Sequence, residues 1–167
     1  REIRLVVHGD GLTCIGTDDQ LDWFQEEIQK HFEVKIRGRL GGGANDDKEM
    51  RILNRVVRWT IEGLTWEADQ RHAEILVREL GMSEANSVTT PGTKDRSKEE
   101  EEEELEGEEA TQFRALAARA NYLVADRPNA AYVSKEVCRL MVAPTRASWK
   151  ALRRIARYFV GKPRLVY

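Results

Sequence analysis

With 167 residues, 41% of them hydrophobic and 34% charged, the chain is long enough to bury a core, and no apolar run approaches the roughly eighteen residues of a membrane-spanning helix. Its two cysteines, Cys14 and Cys138, stand far apart with no Cys/His cluster, which argues against a disulfide scaffold or a zinc knuckle and fits a reducing, intracellular setting, cytoplasmic or nuclear. The net charge of −2 hides a segregation: nine of the 29 acidic residues fall within Glu99–Glu109, whereas residues 110–167 hold 12 Lys and Arg against 2 Asp and Glu, a net of +10.

The opening Arg1–Gly11 reads as a strand already under way, as expected of a piece of a longer protein. Residues 3–7 and 12–16 are short apolar runs around His8-Gly9-Asp10-Gly11, which predicts a β-hairpin with Asp10 at its tip. Thr17 and Gln20 have capping-box spacing, and Leu21, Phe24 and Ile28 repeat at helical spacing, so a helix is expected to about His31, with Asp18 and Asp19 favouring its N-terminus. Alternation over Phe32–Ile36 predicts a strand, and Gly41–Asp47 a loop. Met50–Thr60 and Leu64–Trp66 predict a second hairpin turning at Glu62-Gly63. Asp69 is placed to cap a helix that carries Ala73, Leu76, Val77 and Leu80 on one face and stops at Gly81.

Beyond the loop Ser83–Lys98, the acidic run Glu99–Glu109 repels itself and has little to bury. It reads as a disordered linker, or as an internal decoy that competes with nucleic acid for the basic end of the chain. Helices are expected near 110–125, 129–142 and 146–160, punctuated by Pro128 and Pro144. The fold class is α+β, in three parts: an α+β region over 1–82, a loop and acidic linker over 83–109, and a basic helical module over 110–167.

In the last helix Trp149, Leu152, Ile155, Ala156 and Phe159 share one face, and Arg146, Lys150, Arg153, Arg154 and Arg157 the other. The basic face suits contact with nucleic-acid phosphates; a solvated face or another partner is the alternative. A carboxylate on a rigid turn such as Asp10 can hold a catalytic cation, but a two-metal centre needs several carboxylates, and Asp10 as a simple turn residue fits equally well. His8-Gly9-Asp10-Gly11 has a superficial likeness to an esterase oxyanion loop, yet the chain has no Gly-x-Ser-x-Gly elbow. Gly41-Gly42-Gly43 lacks the Gly-Lys-Ser/Thr of a phosphate loop, and His8, His31 and His72 lack ligand spacing. Trp59, Trp66 and Trp149 are expected in the core rather than as base-stacking platforms.

Taken in order, the motifs resemble the C-terminal part of the reverse transcriptase domain of copia-type retrotransposon polyproteins. His8-Gly9-Asp10-Gly11 occupies the place of the YVDD turn, Leu40-Gly41 that of an LG segment, and Ile52-Leu53-Asn54 that of FLG with Asn for Gly. Gln70–Met82 and Val88-Thr89-Thr90-Pro91 follow the family's Q-x-x-Y…LL…F-G-M helix and V-x-T-P. Phe113-Arg114, Asn121-Tyr122-Leu123, Asp126–Tyr132, Pro144-Thr145 and Trp149–Gly161 then match its later segments in the same order, with Ser148 where histidine is usual. The resemblance implies a partial palm with hairpins and helices, and a helical module leading toward a connection. It also implies RNA-directed DNA polymerase ancestry, a template-primer partner, the remainder of the Pol polyprotein as a further partner, and Mg²⁺ as cofactor. Asp10 would be the surviving metal-binding aspartate of the turn. Gly11 stands where the second aspartate belongs and cannot bind a cation through a side chain, so the chain by itself is expected not to polymerise DNA. The alternative is a non-catalytic nucleic-acid-binding module kept from a retroelement.

Overall fold

The computed structural model describes residues 2–68, 70–93 and 103–167, a mixed α+β chain with two small antiparallel sheets and five α-helices among them. Strands β1 (Arg4–His8) and β2 (Gly11–Ile15) pair alone, in a register running from Arg4 opposite Ile15 to His8 opposite Gly11. The second sheet orders β3 (Glu49–Ile52), β4 (Arg55–Thr60) and β5 (Gly63–Glu67) side by side. Helices are α1 (Asp18–Gln29), α2 (Arg71–Glu79), α3 (Gly107–Tyr122), α4 (Ala131–Arg139) and α5 (Arg146–Gly161), with 3₁₀ turns at Leu123–Ala125 and Pro128–Ala130. No helix among the described residues is long and apolar enough to cross a membrane.

The chain divides into two compact units, Arg1–Leu53 with Val57–Leu64, and Asn54–Val56 with Thr65–Tyr167. In the first unit, the two-residue turn Gly9-Asp10 has its glycine at φ 60, a backbone that a side chain at that position would strain, and so sets the tight β1–β2 connection. Thr17 does flank α1 in an extended conformation, but its side chain makes no capping bond. The expected box with Gln20 is absent, and the Thr17 carbonyl simply accepts from the Gln20 and Leu21 amides at 3.0 and 2.9 Å. Residues 32–36 form no strand: Phe32 and Ile36 are exposed, and among the described residues no neighbouring strand takes up their backbone. Alternation without a partner cannot satisfy a ladder.

The stretch 50–60 is also not one strand. It breaks at Leu53-Asn54, both at positive φ (49 and 64), the paired left-handed geometry of a two-residue hairpin turn. Asn suits the second position, because Asn tolerates this region best among residues with a side chain. The β4–β5 turn lies one residue earlier than expected, at Ile61-Glu62, where the Thr60 hydroxyl donates to the Gly63 carbonyl at 2.9 Å. Gly41–Asp47 is a loop as expected, and Lys48 Nζ ties it by donating to the carbonyls of Gly41 (2.9 Å) and Gly43 (2.7 Å).

The core lies in the second unit. Leu76 of α2, Phe113 of α3, Val137 of α4, and Leu152, Ile155 and Phe159 of α5 are fully buried together, joined by Leu123 from the first 3₁₀ turn. Burial of such side chains is worth about 1.5–3 kcal/mol each and is what holds four amphipathic helices together. Helix α2 ends in a paired capping pattern: the Gly81 amide donates to Arg78 and the Met82 amide to Val77, with Met82 then buried. Asp69, expected to cap its start, lies outside the described residues, and Gln70 flanks the helix with no side-chain cap. Helix α5 carries the capping box that the sequence reading missed. Thr145 Oγ1 accepts from the Ser148 amide at 3.3 Å while Ser148 Oγ accepts from the Thr145 amide at 2.9 Å. Ser148 is thus a buried structural residue.

The end of the acidic run is ordered rather than linker-like. The Leu105 amide donates to the Pro144 carbonyl at 2.7 Å, the Arg146 amide to the Glu103 carbonyl at 2.9 Å, and Leu105 is buried. Glu108 and Glu109 begin α3, where carboxylates complement the helix dipole. Glu99–Glu102 lie outside the described residues. Residues after Gly161 return to the sheet: Trp66 and Tyr167 exchange backbone hydrogen bonds at 3.0 Å and stack at 4.7 Å, while Arg164 grips the buried Glu67 carboxylate with two bonds of 2.6 Å. Of the tryptophans expected in the core, Trp149 packs against it, Trp66 is half-buried, and Trp59 is exposed.

Candidate nucleic-acid interface

The basic face of α5 is split by its neighbours into contacts of different kinds. At its N-terminal end Arg146 donates to Glu103 (3.0 Å) and Glu109 (2.9 Å), and those bonds push its guanidinium further above its ordinary value. Arg157 Nε donates to the Asn86 carbonyl at 2.7 Å, and Arg154 Nη2 to the Thr90 hydroxyl at 3.1 Å. These two arginines strap the segment 83–93 along the helix. Gly161 permits the close pass, since a Cβ there would lie 2.7 Å from that of Ser87. Lys150 and Arg153 are exposed. Arg154 Nε is buried with no hydrogen-bond partner among the described residues.

Lys150, Arg153, Arg154 and Arg157 nevertheless line one feature, an open groove of about 1290 Å³ between α4, α5 and the strap. Thr90 and Gly92 form part of its floor, and Tyr132 and Glu136 project from α4 into it. Four of the five basic residues anticipated from sequence therefore gather at one place, while Arg146 is neutralised outside it. Tyr132 and Glu136 were not anticipated; their i, i+4 spacing on one helix face was the available signal.

The Asp-Arg-Pro segment is structural. Asp126 accepts from Arg55 Nε at 2.7 Å. Arg127 is buried over the Phe159 ring, at 4.6 Å, and donates to the carbonyls of Lys162 (2.6 Å) and Pro163 (3.3 Å). Burial pushes its guanidinium below the ordinary value. His72 sits against Tyr122 and within 3.0 Å of Arg119, so it too is held by its neighbours.

Asp10 lies exposed at the β1–β2 tip, two residues from His8 and next to Gly11. Among the described residues no group of three or more His, Cys, Asp or Glu comes together in a way that could hold a metal ion. The described side chains do not fit the two-ion centre that a polymerase requires. Neither family models, nor curated proteins, nor solved structures yield a match to this chain.

Proposed function

We propose that this chain derives from the reverse transcriptase of a copia-type retroelement and that its own activity is to bind the phosphate backbone of nucleic acid without polymerising it. The supporting observation is the convergence of Lys150, Arg153, Arg154 and Arg157 on one groove. Cations held on a rigid helix lose little freedom when phosphates arrive, and each phosphate they neutralise releases condensed counterions. In this reading the partner is a template-primer, met in the cytoplasm or nucleus, and the remainder of a Pol polyprotein would supply the carboxylates that Asp10 lacks.

Fluorescence anisotropy with labelled nucleic acid across a salt series tests it. Binding should weaken steeply with salt, and Lys150→Glu with Arg153→Glu should lower affinity for every sequence and reduce the log–log slope by about one per contact removed. Affinity that is flat in salt, or unchanged in that double variant, would overturn the proposal. Its inactive half is tested by primer extension with the chain joined to an upstream palm: Mg²⁺-dependent synthesis with Gly11 unchanged would show that the turn is still competent.

A further inference from the structure

The two walls of the groove differ in chemistry, and the difference selects a form of nucleic acid. The α5 wall presents Lys150, Arg153, Arg154 and Arg157. The α4 wall presents Tyr132, which is 75% exposed, and one turn further along the same face Glu136, whose carboxylate lies 3.4 Å from Arg139. A tyrosine ring left this open has given up the burial that usually anchors a core aromatic, and offers a face on which a base can stack. The Glu136 carboxylate beside it, paired with Arg139, can accept hydrogen bonds from base amino groups.

Resting on the phosphate-binding reading above, we infer that the groove takes single-stranded nucleic acid, with its backbone on the α5 wall and a base stacked on Tyr132. In a duplex the bases are stacked on one another and both edges of the rod are phosphate, so a duplex offers no free base face to Tyr132. A single strand has one charged edge and one aromatic edge, matching the two walls. Sequence preference is expected to be weak, because every base has a face to stack.

The test compares a labelled homopyrimidine strand of about 12 nucleotides, a length spanning one such site, with a duplex of the same strand, using the full chain. The single strand should bind more tightly. Tyr132→Ala should weaken it at least about fivefold without altering its salt slope, because stacking is not ionic, and should leave the duplex unaffected. Tyr132→Phe should keep the wild-type affinity, and circular dichroism should show the exposed position to be neutral for folding. Equal affinity for both forms, or no effect of Tyr132→Ala on the single strand, would overturn the inference. If Lys150→Glu with Arg153→Glu still weakens binding in that case, the phosphate-binding reading survives. Binding of neither form at low salt would remove both.

Discussion

The two units of this chain are held by different forces. Every described residue that is fully buried lies at Glu67 or beyond, whereas Arg1–Leu53 with Val57–Leu64 contributes none. The β1–β2 hairpin illustrates the second case: Leu5, Val6, Val7, Leu12 and Ile15 are all exposed, and its order rests on a backbone ladder and a two-residue turn. Helices α2 to α5 illustrate the first, with interlocking apolar faces. Hydrogen bonds contribute little net stability when water is the alternative partner, while buried apolar area contributes throughout. Resistance to unfolding should therefore be concentrated in the helical unit, which is also where the candidate groove is built.

The sharpest way to break this contrast is a pair of truncations. Phe113→Ala empties a fully buried site and should cost about 3–5 kcal/mol in urea unfolding followed by circular dichroism. Ile61→Ala, at a fully exposed turn, should stay within about 0.5 kcal/mol. Similar values for the two would mean that the units are not held differently. Next in size is the α5 capping box: Thr145→Ala should cost about 1 kcal/mol, and Thr145→Ser should recover most of it. A smaller effect, under about 1 kcal/mol, is expected for Asn54→Ala, which forces alanine to φ 64, while Asn54→Gly should be close to neutral.

Residues whose conformation is set by near neighbours were legible from the sequence. The four helices of the second unit, the stop at Gly81 and the Gly9-Asp10 turn all follow from periodicity and punctuation within a few positions. Apart from the local Thr145–Ser148 capping box, what was not legible depends on distant partners or on their absence. Phe32–Ile36 alternates like a strand but finds no neighbour, and Leu53 gives no local sign of positive φ. Residues 83–93 form a loop as expected, but their attachment to α5 was not legible because Arg154 and Arg157, which tie them down, lie more than sixty positions away. The acidic run did hold a clue, since its single apolar residue, Leu105, is the one that docks. At the groove, charge periodicity revealed the α5 wall. Tyr132 and Glu136 became meaningful only once α4 was seen to face it.

The two cysteines, one in each unit, give the finest test. Partial burial raises the thiol pKa of both Cys14 and Cys138, so each holds less thiolate at a given pH than an unfolded control and should react more slowly with a disulfide reagent. Cys138 Sγ also donates to the Ala117 carbonyl at 3.4 Å and packs against the helical core. Its labelling should follow the urea transition of that unit, whereas Cys14, on a two-stranded hairpin, should label in the native protein. The pH dependence follows from the direction of the shift. A group whose pKa is raised on folding adds stability that is complete below the unfolded value, about 8.5 for a thiol, and is lost as pH climbs through the folded value. Raising the pH from 7 through this range should thus speed labelling at both sites by increasing thiolate, and at Cys138 by weakening the fold as well, so the Cys138 rate should rise more steeply. Equal rates and equal pH slopes at the two thiols would show that the helical core protects its cysteine no better than the hairpin does.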